Sequence, residues 1–126
     1  MGQPAQDNQD IPDIETEARM ILSAVARMEG EWGAHKIAAV LCGGEENWMK
    51  EDGLDELSVH GLLSHHGKLK VLAMIGALVD QDLVNRGAKK TLELTPAGGA
   101  VMTGDHDLSG EARKLLGKAR NAMGMQ

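Results

Sequence analysis

The chain has 126 residues, 42% of them hydrophobic, and a formal net charge of −6 with an isoelectric point near 5.3, which supports one domain with one core and argues against a generic, basic nucleic-acid binder. A single cysteine, Cys42, excludes an internal disulfide and a zinc ribbon or finger, and two Trp with no Tyr or Phe leave too few rings for a platform on which several bases could stack. No apolar run approaches the roughly 20 residues of a membrane span and the polar N-terminus builds no secretory signal, so the expected setting is the reducing cytoplasm.

In chain order, residues 1–12 are rich in Gln, Asp and Asn and lack an apolar period, so they read as a disordered lead-in or linker. Asp13 is placed to cap a first helix in which Ile14, Ala18, Ile21, Leu22 and Val25 form one stripe. Glu15 and Glu17 sit in its first turn, where the helix dipole favours anions, and it should stop near Gly30. Glu31, Trp32 and Gly33 form a turn. Residues 34–41 restart as a second helix with Ile37, Val40 and Leu41 inward, closed by Cys42, Gly43 and Gly44. Residues 45–57 carry Glu45, Glu46, Lys50, Glu51, Asp52, Asp55 and Glu56, and read as a surface loop with one short helical turn packing Trp48 down.

Leu69, Leu72, Ile75, Leu78 and Val79 recur three or four apart and predict a third helix, its outer face made by Lys70, Ala73, Met74, Ala77 and Gln81. Asp82 ends that run. Leu83 and Val84 on one side, and Leu92, Glu93 and Leu94 on the other, flank the basic turn Arg86-Gly87-Ala88-Lys89-Lys90, which predicts a hairpin. Thr95 and Pro96 open a short helix, Thr as cap and Pro at the first position. Ser109 can cap a last helix with Ala112, Leu115, Leu116, Ala119 and Met123 on one face and Lys114, Lys118 and Arg120 on an exposed basic face. The predicted fold is α+β but mainly helical: a winged helix, with a three-helix helix-turn-helix core, a short two-stranded wing and an extra C-terminal helix. Residues 1–12 are the lead-in, 13–104 the winged helix, and 105–126 a linker and the basic helix.

Several segments in this order carry a resemblance. Residues 18–25 (Ala-Arg-Met-Ile-Leu-Ser-Ala-Val), then 32–41 beginning Trp32-Gly33, then Gly53-Leu54-Asp55-Glu56-Leu57 through Gly61, and finally Leu92-Glu93-Leu94-Thr95 with the short helix after it, resemble the RQC winged-helix domain of RecQ-family ATP-dependent DNA helicases. The likeness covers roughly residues 14–104. It implies a module that grips duplex or forked DNA beside a helicase motor, without sequence specificity, during unwinding in replication, recombination and repair. On that reading the chain alone is not an enzyme but a portion of an ATP-dependent 3'-5' DNA helicase, associated with the nucleoid if the source is bacterial. Two departures bear on function. Where the family offers an Arg before the Gly of the loop after the second helix, Cys42 stands, with Glu45, Glu46 and Trp48 following. Where many members carry a large residue at the wing tip, this chain has Arg86-Gly87-Ala88. The family's zinc site precedes the winged helix and needs several cysteines, and no phosphate-binding loop G-x-x-x-x-G-K-[ST] occurs here.

Of the five histidines, only His60, His65 and His66 lie near one another in sequence, with Cys42 as a further candidate ligand. Metal-ligand spacing is lacking, so exposed loop histidines, no metal and no cofactor are expected. Cys42, at a helix end rather than a helix start, is read as a half-buried small residue, not a nucleophile. The acidic loop lacks the alternating ligands of a calcium site. The cations are segregated: Lys68 and Lys70 at the start of the third helix, and Arg86, Lys89 and Lys90 in the wing. In a winged helix these places are expected to face one side. They are the expected phosphate contacts, with Lys50 and Ser58 added from the family pattern. The third helix offers no Arg or Asn to read base edges. The alternative is a winged helix that has lost DNA affinity and docks a protein partner through the acidic loop or an exposed Met74.

Overall fold

The computed structural model describes residues 13–28, 31–87 and 90–124. The lead-in expected over residues 1–12, the helix stop at Gly30, and Ala88 and Lys89 of the wing lie outside the described residues, as does the side chain of Met123. The element order is α1 (Ile14–Arg27), α2 (Ala34–Leu41), α3 (Asn47–Glu51), a 3-10 turn (Leu54–Glu56), α4 (Lys68–Asp80), β1 (Val84–Arg86), β2 (Leu92–Leu94), α5 (Pro96–Thr103) and α6 (Gly110–Gly124). This is the mainly helical winged helix that the apolar periods predict.

Asp13 caps α1 as expected, its carboxylate accepting the Thr16 N–H at 2.7 Å. Ala18, Ile21, Leu22 and Val25 are fully buried. Glu17 stands in the first turn as read from the sequence, but on its inner side. It is 0% exposed, because it falls in helical phase with Ile21, Ala24 and Met28 rather than with the solvated side of the first turn.

α2 has the predicted bounds. Gly43 follows it at φ +82°, and Gly61 sits opposite at φ +81°. A Cβ on Gly43 would stand 3.3 Å from the Gly61 Cα. The closeness lets Gly61 and Leu63 donate their N–H groups to the carbonyls of Val40 and Leu41, at 2.9 and 2.8 Å, which satisfies acceptors that a helix end leaves open. In α3 the residue that packs down is Met49, 0% exposed. Trp48 is half-buried instead, its ring centroid 5.7 Å from that of Trp32.

α4 buries Val71, Met74, Ile75, Ala77 and Leu78, while Leu69 stays 66% exposed. Met74 and Ala77, expected on an outer face, are covered because α6 lies along α4 in the most extensive interface between elements. Ala112 and Leu116 of α6 are buried there, among the core residues. The small exposed patch expected around Met74 therefore does not exist. Arg120, expected on the exposed face of α6, instead pairs with Glu17 at 3.0 Å.

The wing is an antiparallel pair with Val84 opposite Leu94, Asn85 opposite Glu93 and Arg86 opposite Leu92. It is fastened at both ends. Gly33 forms a bridge with Thr91, and the Leu92 N–H donates to the Trp32 carbonyl at 3.1 Å. At the other end Thr95 caps α5, its Oγ1 accepting the Gly98 N–H at 2.9 Å and donating to the Asp82 carbonyl at 2.6 Å. No helix among the described residues is long and apolar enough to cross a membrane.

Candidate nucleic-acid interface

The wing and the start of α2 form one shallow concavity lined by Gly33, Ala34, His35, Lys36, Arg86 and Lys90. Its geometry follows from the Gly33–Thr91 bridge. A Cβ on Gly33 would meet the Lys90 carbonyl at 3.2 Å, so glycine lets the hairpin close onto the helix start. The turn tightens through Gly87 N–H to the Thr91 carbonyl at 2.7 Å and Lys90 N–H to the Gly87 carbonyl at 3.0 Å. Lys90 takes a left-handed φ of +65° there. Arg86, Lys90, His35 and Lys36 are all exposed. Gly33 caps α2 without a side chain, so the positive end of that helix faces the same hollow as three cationic side chains.

Lys36 was not among the residues singled out in the sequence. Its Nζ stands 4.8 Å from the Trp48 ring centroid and 5.1 Å from that of Trp32, within cation–π range. This holds a flexible side chain at the rim of the hollow. The signal in the sequence was weak: a lysine four residues after Trp32, whose meeting with Trp48 depends on how residues 45–57 fold back.

The other expected contacts lie elsewhere. Lys68 and Lys70 begin α4 beside Cys42 and His66. Cys42 follows the last residue of α2 whereas Gly33 precedes its first, so Lys68 acts at the end of a helix about 12 Å long opposite to the end that borders the hollow. They do not share the hollow. Lys50 is exposed on α3 and Ser58 exposed in the following loop. The Cys42 thiol is half-buried, and burial pushes it above the ordinary thiol range while Lys68 pulls the other way. That is an inert thiol rather than an activated one. Of the histidines, His60 hydrogen-bonds the Gly44 carbonyl at 2.8 Å. His66 is buried against Glu17 rather than lying in an exposed loop.

The RQC domain profile matches residues 8–116, every element from α1 into the middle of α6. The chain belongs to the RQC family. This RQC domain is also similar to the ATP-dependent DNA helicase RecQ of Bacillus subtilis (strain 168), with 30% identity over 101 residues. The aligned part is 79% of this chain and 17% of that relative, so the chain spans about a sixth of the relative's length. The resemblance read from residues 18–25, 32–41, 53–61 and 92–95 is thereby confirmed at the level of family. The α6 helix that covers α4 falls partly within the match.

Proposed function

We propose that this RQC domain holds the end of a duplex or forked DNA through its phosphate backbone and presents it to the motor of a RecQ-type ATP-dependent helicase. The observation that carries this reading is the hollow between wing and α2, where Lys36, Arg86 and Lys90 converge on a helix start. Lys89 adds to the wing's charge, and Lys68, Lys70, Lys50 and Ser58 are outlying contacts along the same backbone. The similarity to a relative named as an ATP-dependent DNA helicase supports the choice of ligand. Recognition is by backbone and shape, since Met74 and Ala77 of α4 are covered and the helix has no Arg or Asn to read base edges.

The test is a titration of forked and blunt duplexes at two salt concentrations, with wild type and Arg86→Glu/Lys90→Glu. Backbone binding falls steeply with salt through counterion release, and the double variant should weaken every sequence by a similar factor. Binding that ignores both salt and charge reversal would remove the assignment. The rival reading, a winged helix docking a protein, keeps the acidic loop and the net charge of −6 but loses its Met74 surface. It predicts no DNA affinity even at low salt.

A further inference from the structure

His65 and His66, adjacent in the loop before α4, turn their rings toward one point on α1. The ring centroids are 4.1 Å apart. His65 Nε2 lies 2.8 Å from Glu17 Oε2, and His66 Nε2 lies 3.0 Å from Oε2 and 3.1 Å from Oε1. Arg120 donates from α6 to Oε1 at 3.0 Å. The Glu17 side chain is 0% exposed, that of His66 6% and that of His65 32%. Two imidazole nitrogens and a carboxylate oxygen thus converge from two separate elements, all within 4.8 Å of one another.

A hydrogen-bonded pin between α1, the loop and α6 would need fewer groups than this. Two imidazoles aim at the same oxygen, beside a guanidinium that already neutralises the carboxylate. The spacing suits an ion. Tetrahedral ligands at zinc distances of about 2.0–2.2 Å stand about 3.3–3.6 Å from one another, so the two nitrogen–oxygen contacts need open by roughly 0.5 Å, while the two Nε2 atoms lie within 4.8 Å of each other.

We propose that Glu17, His65 and His66 bind a divalent transition-metal ion of the zinc type, through Glu17 Oε2 and the two Nε2 atoms. Solvent takes the remaining position on the partly exposed His65 side. Arg120 stays on Oε1 and orients the carboxylate, as groups behind a metal ligand do. On coordination each imidazole carries its proton on Nδ1, leaving the Nε2 lone pair for the ion. Two nitrogens and one oxygen favour zinc, cobalt or nickel over magnesium and calcium, which take oxygen shells. The ion would cross-link α1 to the loop that precedes α4, so loading stabilises the fold.

The full chain, tag-free and stripped with chelator, is titrated with Zn2+ by calorimetry and with Co2+ by visible absorption. One equivalent should bind, with the ligand-field bands of a low-coordinate cobalt site and a rise in Tm, while Mg2+ gives neither. Long-range 1H–15N spectra of the wild type should show the Nε2 resonances of two histidines moving with Zn2+ and three staying in place. His65→Ala, the most exposed ligand, should weaken Zn2+ at least tenfold with an unchanged circular dichroism spectrum, and His35→Ala should not. A folded wild type without cobalt bands, or zinc binding that leaves the His65 and His66 nitrogens unmoved, overturns the site.

Discussion

Glu15 and Arg113, 98 residues apart in sequence, meet at 2.7 Å and join the first helix to the last. The other Glu15 oxygen accepts the Leu108 N–H at 2.9 Å. That amide does most to hold the Glu15 carboxyl below its ordinary range, burial opposes it, and Arg113 and Arg19 add to it. A carboxyl lowered on folding contributes stability that is complete above its unfolded pKa and is lost as pH falls through the folded value. Thermal melts taken from neutrality downward should therefore begin to fall through the ordinary histidine range, because burial lowers His66 on folding, and drop again from the ordinary glutamate range; Glu15→Gln should flatten part of the second drop alone. Asp13, held low by the Thr16 N–H, and Glu17, held low by His65, Arg120 and His66 against its burial, add to that second drop. A Glu15→Gln profile identical to wild type would show that this contact does not fasten α6.

The covering of α4 by α6 is tested by contrast. Met74 is fully buried and Leu69 is 66% exposed. Met74→Ala should cost about 2–5 kcal/mol in urea unfolding, and Leu69→Ala no more than about 0.5 kcal/mol. An outward Met74 would reverse the order.

Two neighbouring glycines of α5 should respond oppositely. A Cβ on Gly98 would stand 1.9 Å from the Leu83 carbonyl oxygen, whereas one on Gly99 meets nothing within 4 Å. Gly98→Ala should destabilise by about 1–3 kcal/mol or more as strand and helix are forced apart. Gly99→Ala should stabilise by about 0.5–1 kcal/mol through the lost flexibility of the unfolded chain. Chemical denaturation of the two variants reads both.

Lys36 is expected to act with the wing. Lys36→Ala should weaken forked and blunt DNA alike and lower the slope of log K against log salt by about 0.9, one phosphate contact's worth. It should also change tryptophan fluorescence, since its ammonium stands over Trp32 and Trp48. Unchanged DNA affinity with altered fluorescence would confine Lys36 to a structural part.

Most helices were legible because their apolar residues recur at helical spacing and their ends carry recognisable chemistry: Asp13, Thr95 and Ser109 as caps, Gly43 past a helix end. The hairpin was legible from Leu83 and Val84 facing Leu92 and Leu94 across a basic turn. What escaped depends on elements far apart in sequence. The stripe Ala112, Leu115, Leu116 and Ala119 needed something to cover, and Ala73, Met74 and Ala77 needed covering. Neither stripe names its partner. Glu17 was read only as a first-turn anion favoured by the helix dipole, and its phase with Ile21 and Ala24, which points inward, was not used. The partners that make a buried carboxylate tolerable, His65, His66 and Arg120, arrive 48 to 103 residues later. The basic hollow was half visible: Arg86 and Lys90 stood out, but only the bridge between Gly33 and Thr91 brings Lys36 to them.

That bridge has a mechanical consequence. Because Gly33 and Thr91 are paired, and Leu92 is tied to Trp32, the flap is no free-swinging paddle: a load applied to it is shared with the start of the second helix. The far end of that helix is fastened in turn, where the carbonyls of Val40 and Leu41 take the N–H groups of Gly61 and Leu63, so the flap is moored to an element that is itself held at both ends.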